Sequence, residues 1–151
     1  MKFNDDVYPT SDPSYVEEMV RNVSEFIDGA SGPVFVLSFV PEALDRLREL
    51  NPNAVTALNV YQDEVETPNR IRALKKDYGF DIMNPPYDQA NRPGAIDRIH
   101  ECDLLTFPWP WHETFAEEDR ITEELFLNGA DGVIPNRFRQ AIETRERLRL
   151  L

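Results

Sequence analysis

Cysteine occurs once, at Cys102, so no disulfide can form within the chain and no cysteine cluster can hold zinc. Histidine occurs twice, at His100 and His112. Lysine is confined to Lys2, Lys75 and Lys76, and the other thirteen bases are arginines. Positive charge is scarce as a whole: 16 bases stand against 28 acids, a formal charge of -12. Nucleic acid and anionic membrane surfaces would repel such a chain, so neither is an expected partner. No run approaches the roughly 20 apolar residues of a membrane-spanning helix, so no membrane insertion is expected. The opening MKFNDDVYPT has no apolar core, and no signal peptide is visible in it. The expected setting is the cytoplasm or an assembled particle, with the location itself left open. No Ser-His-Asp order, Walker loop or Gly-x-Gly-x-x-Gly is present.

What the chain does contain is enough for a core. It has 151 residues, 41% of them hydrophobic, which fits one domain spanning residues 1–151. Acid excess with scarce lysine suits a protein working in high salt, where screening removes self-repulsion. A mesophilic acidic protein would read the same way.

The apolar pattern alternates between strand and helix. Pro13 can open a helix with Ser11 or Asp12 as cap, and Val16, Met19, Val20, Val23 and Phe26 follow at helical spacing up to Gly29. VFVLSF at 34–39 is the continuous apolar run of a strand buried on both faces. Pro41 opens a helix with a stripe of Leu44, Leu47 and Leu50. Strands are predicted again at 55–60, 80–84, 103–107 and 131–134. Between them lie helices around Ile71 and Leu74, Ile96 and Ile99, and Ile121 and Phe126. A last helix runs from Asn136 to Leu148. A sixth strand could form in MKFNDDV. The units share structure but no evident sequence. Alternation of this kind implies a mainly parallel sheet with right-handed crossovers. Five or six βα units are too few for a closed eight-stranded barrel of about 250 residues. An open doubly wound sheet and an incomplete (β/α) barrel both remain.

Four segments carry a resemblance. VFVLSFVPEALDRLRELNP is similar to a valine-rich strand, Ser-Phe, then Pro-Glu-Ala-Leu. DIMNPP is similar to an Asn-Pro strand end, and DLLTFPWPWHETFAEEDRI to a Trp-Thr-Val strand with an acidic follow-on. NGADGVIPNRFRQAIE resembles a last strand and helix reading Gly-(Val/Ala)-Asp-Gly-Ile-Ile-Thr-Asp-Arg-Pro. Together, in order and over roughly residues 11–147, they resemble the C-terminal portion of the glycerophosphodiester phosphodiesterases. The resemblance implies an incomplete (β/α) barrel of five or six parallel units, with any site at the C-terminal strand ends. In that family the N-terminal portion brings a His-Arg-Gly motif, a Glu-x-Asp metal pair and a His-Asp motif, which serve acid–base chemistry and a divalent metal such as Mg or Ca. Neither histidine of this chain stands in those contexts. A further ligand strand, Asn-Ile-Glu-Ile-Lys-like, would fall on MKFNDDVYP, with Asn4 near the Glu position and Asp6 near the Lys position. Neutral Asn is a poor substitute for a carboxylate on a hard cation.

The chain, read as beginning at its own Met, is therefore expected to be a non-catalytic module with a structural or binding role and no cofactor. The alternative is part of an active metal-dependent hydrolase whose missing strands come from another chain. The candidate ligand contacts are Trp109, Trp111, His112 and Asn84, all near strand ends. Asp63 and Glu64 could join His112 around a metal, or be ordinary loop charges. His100, beside Glu101, reads as a helix surface residue, and Cys102 as a small buried one. An incomplete barrel exposes two sheet edges, one near Phe3 and one at Gly132 to Ile134. A homo-oligomer or another protein chain covering them is expected, with Trp109 and Trp111 as candidate contacts.

Overall fold

The proline-opened helices and apolar runs are realised as an α/β fold with four parallel strands in one sheet, in the order β1-β2-β3-β4. The computed structural model describes residues 13–61, 65–109 and 114–149. Among these the sheet does not close on itself. The expected cap at Ser11 or Asp12 and the expected strand in MKFNDDV lie outside the described residues. The chain divides into two compact units, described in turn.

The first unit holds α1 (Pro13–Gly29), β1 (Phe35–Ser38), α2 (Pro41–Leu50) and β2 (Val55–Asn59). Val20 and Val23 bury the apolar face of α1. Its polar side meets α2 through a two-pronged ion pair, Arg46 Nε to Glu17 Oε2 at 2.7 Å and Nη2 to Oε1 at 2.9 Å. The Arg46 guanidinium holds the Glu17 carboxyl below its ordinary range. Whatever this pair contributes is therefore present above the ordinary carboxylate range and lost as pH falls through the depressed value. For a pair this close to the surface that contribution is small. Pro41 opens α2 as expected, and the Ser38 hydroxyl accepts from Val40 N at 2.9 Å just before it. Leu44 and Leu47 are buried, but Leu50, expected on the same stripe, is exposed. It is the last residue of the helix. β1 and β2 pair in parallel, Phe35 with Val55 through Ser38 with Leu58.

The second unit carries α4 (Tyr87–Ala90), α5 (Ala95–His100), β4 (Leu105–Thr106), α6 (Phe115–Leu127) and α7 (Phe138–Arg149). Two further elements straddle the division: α3 (Pro68–Tyr78) and β3 (Ile82–Asn84). The helix expected around Ile96 and Ile99 is α5, entered from Gly94, whose backbone is left-handed; the short α4 before it lies in the proline-rich stretch where no helix was expected. Ile96, Ile121 and Leu125 build this unit's core with Ala90 and Ala130. Residues 131–134, expected as a strand, run beside β4 without becoming one. Gly132 N reaches Thr106 O and Ile134 N reaches Pro108 O. Pro108 has no N–H to return a bond, which interrupts the ladder.

One device occurs once in each unit. Gly79 and Gly129 end helices with positive φ, and two residues later Asp81 and Asp131 turn back on a neighbouring strand. Asp81 Oδ2 accepts from Thr56 N and Arg48 Nη1, both at 2.9 Å, while Asp81 N donates to Thr56 O. Asp131 Oδ2 accepts from Thr106 N at 2.9 Å, with His100 Nε2 at 3.0 Å, while Asp131 N donates to Thr106 O. The tripeptides Gly79-Phe80-Asp81 and Gly129-Ala130-Asp131 are thus a short sequence repeat inside units that otherwise share none. Each clasp ties one strand, near the start of β2 and at the end of β4, to a base at a preceding helix end.

Candidate functional site

In parallel α/β folds ligands meet the C-terminal ends of the strands. Each strand here ends in a buried, uncharged polar residue: Ser38, Asn59, Asn84 and Thr106. Three of them have visible internal work. Ser38 Oγ accepts from Val40 N, Asn84 Oδ1 accepts from Phe107 N at 3.2 Å, and Thr106 Oγ1 donates to Met83 O at 2.9 Å.

The second unit gathers two of the four candidate contacts. Proline after Asn84 (Pro85, Pro86) and before Trp109 (Pro108) removes backbone donors where a ladder would continue. Side chains take part instead. Asn84 Oδ1 takes the Phe107 N–H, and Trp109 Nε1 donates to Asn84 O at 3.1 Å. Backbone pairing then resumes, Trp109 N to Pro85 O and Tyr87 N to Trp109 O. Trp109 is half-buried and Asn84 fully buried. Trp111, His112, Asp63 and Glu64 lie outside the described residues. His100 is partly exposed and tied to Asp131, and Cys102 is buried with Sγ 3.6 Å from Pro68 O.

Sequence reasoning passed over Glu118. It lies in α6, is 1% exposed, and its Oε1 accepts from Asn136 N at 2.6 Å and Arg137 N at 3.0 Å. These donors lead into α7, whose N-terminus thus receives an internal carboxylate. Helix N-termini at the strand-end face often hold phosphate; here the chain's own anion takes those donors. The signal was a glutamate at apolar spacing, three residues before Ile121 and seven before Leu125.

The resemblance implies a divalent metal. Among the described residues no three His, Cys, Asp or Glu side chains cluster to hold an ion. Ser, Thr and Asn at the strand ends supply neutral oxygens where Mg or Ca takes carboxylates. The described residues do not fit such a metal.

Parallel strands alternating with helices, and polar residues at the C-terminal strand ends, define a barrel-type α/β protein. Among solved structures the chain is similar to a glycerophosphodiester phosphodiesterase from Parabacteroides distasonis, at 14% identity and a TM-score of 0.67, covering 97% of this chain and 56% of that one. It is similar to another from Agrobacterium tumefaciens, at 18% identity and 0.58, covering 96% and 53%. A third, from Thermotoga maritima, gives 15% identity and 0.58, covering 87% and 54%. The chain therefore has part of the glycerophosphodiester phosphodiesterase fold and spans about half the length of these structures. At these identities the likeness concerns fold. No family model matches the chain, and no curated protein matches its sequence. No helix among the described residues is long and apolar enough to cross a membrane.

Proposed function

We propose that residues 1–151 form one truncated domain of this fold that does no hydrolysis and serves a structural or binding role in a larger assembly. The observation that carries the reading is the neutral set of strand ends, Ser38, Asn59, Asn84 and Thr106. Phosphodiester hydrolysis on such a scaffold needs a cation held by carboxylates and a positioned pair of proton carriers. Internal bonding of Ser38, Asn84 and Thr106 supports the same view, as does the carboxylate of Glu118 at the α7 N-terminus. Binding, in this proposal, falls to Trp109, Trp111, His112 and Asn84, with two aromatic faces and one imidazole. Calorimetric titration of the purified chain with Mg²⁺ and with Ca²⁺ tests it. The expected result is weak, unsaturable heat from surface acids; a saturable site of micromolar affinity would contradict it.

A second reading is favoured by the half-length match to the solved barrels. Another chain would complete the barrel and bring the His-Arg-Gly and Glu-x-Asp motifs, making a hydrolase of the pair. Its discriminating result is turnover that appears only when a chain carrying those motifs is added.

We also propose that the fold is suited to high salt, on the net charge of -12. Self-repulsion is screened as the Debye length falls from about 10 Å at 0.1 M to about 3 Å at 1 M. The melting temperature is expected to rise across that range, and an unchanged or falling one would count against the idea.

A further inference from the structure

We infer that the outer face of α7 docks an acidic amphipathic helix of a partner protein. This goes beyond the strand-end contacts proposed above and rests on the assembly role, for which it gives the partner's chemistry. α7 has three faces. Ala141 is buried. Gln140, Glu143, Thr144 and Arg147 line the groove against α6. The third face carries Phe138 and Ile142, 62% and 53% exposed, and exposed Arg145 and Arg149 continue the same i, i+4, i+7, i+11 row. Arg139 flanks the row, its guanidinium 5.8 Å from the Phe138 ring centroid. Among the described residues Arg139, Arg145 and Arg149 make no ion pair, and exposed Glu146 is an acid beside them.

The chain itself shows what such arginines hold. α1 and α2 are joined by Arg46, whose Nε and Nη2 take both carboxylate oxygens of Glu17. α6 and α7 are joined by Arg147, whose Nη1 and Nη2 take both oxygens of Glu123, each at 3.0 Å. In both joints a planar guanidinium grips a glutamate of the neighbouring helix with two prongs. The outer face of α7 offers three more guanidiniums beside two exposed apolar side chains. Its complement is a helix with apolar residues at i and i+4 and carboxylates in the adjoining turns.

Bilayers and nucleic acids are anionic too. Either spreads its charge well beyond one helix and so meets the whole chain, whose charge is -12. A single acidic helix meets α7 alone. The row is also short, about 16 Å from Phe138 to Arg149 at the helical rise. Its two apolar anchors give little area to bury in a bilayer, where binding scales with that area. One helix needs no more than a few such anchors with charge pairs around them.

The test is calorimetric titration of the full chain with a synthetic peptide of about 18 residues, long enough to form helix, carrying Leu at i, i+4 and i+7 between glutamates. Saturable binding is expected at about 0.15 M salt, and weaker binding at about 1 M, where ion pairs are screened. R139A/R145A/R149A should bind about tenfold more weakly, since three surface pairs are lost. Phe138→Ala should also weaken binding. R72A/K76A removes two exposed bases from α3 and should bind as the wild type does. In nuclear magnetic resonance of the wild type, the amides that shift on adding peptide should centre on residues 138–149, which locates the site without any variant. No saturable binding, an α3 variant that loses as much as the α7 variant, shifts centred elsewhere, or preference for phosphatidylglycerol vesicles over the peptide would overturn the inference. None of these outcomes measures metal binding or turnover, so this contact and the non-catalytic reading fail separately.

Discussion

Replacing Glu118 by alanine is expected to lower stability by about 3 kcal/mol, since it takes the acceptor from two partly buried N–H groups and leaves a cavity where a buried side chain stood. Glu118 is 1% exposed, and its Oε1 takes both Asn136 N and Arg137 N. Those are among the donors that a helix of the length of α7 cannot satisfy by itself. A carboxylate there is also favoured by the partial positive charge of the helix N-terminus. Glu118→Gln keeps an acceptor oxygen and should lose about half as much. For a chain of this size the alanine variant should melt roughly 6–12 °C lower. Equilibrium denaturation of the three proteins gives the order. A loss under about 1 kcal/mol for alanine would mean that the α7 donors find other partners.

Removing either clasp aspartate is expected to cost about 2 kcal/mol, because a partly buried strand N–H loses its acceptor. Asp81→Ala should cost more than Asp131→Ala. Asp81 Oδ2 collects Thr56 N and the Arg48 guanidinium, with Thr56 Oγ1 further off at 3.4 Å. Asp131 Oδ2 collects Thr106 N and one imidazole nitrogen. Asp81→Asn and Asp131→Asn keep an acceptor and should be milder than the alanines. The check is urea denaturation of all four variants at one pH. Equal stability of the alanine variants and the wild type would show that the clasps do not hold these strands.

The parallel α/β class was legible because apolar runs such as VFVLSF alternate with helices opened at Pro41 and Pro68. Recognition of four ordered segments reached the half-barrel, which the structural likeness supports. Strand ends were less legible. Proline after Asn84 and before Trp109 truncates β3 and β4, and Asn84 and Trp109 side chains take over bonds that backbone pattern assigns to main chain. The 131–134 strand failed for the same reason, through Pro108. Gly-x-Asp was visible twice in the sequence, but whole-unit comparison hides a three-residue repeat. Glu118 was hidden because a glutamate in an acidic helix reads as a surface charge; only the fold shows it buried against α7. Trp111 and His112 lie outside the described residues, so the contact proposed for them stands on the sequence.

The central claim is that these strand ends lack hydrolytic chemistry, and turnover measures it most directly. The purified chain, at high protein concentration with Mg²⁺ or Ca²⁺, would be given a glycerophosphodiester and the released alcohol followed. The account predicts a rate equal to that of buffer with metal. Metal-dependent release above that blank, abolished by His112→Ala, would contradict it.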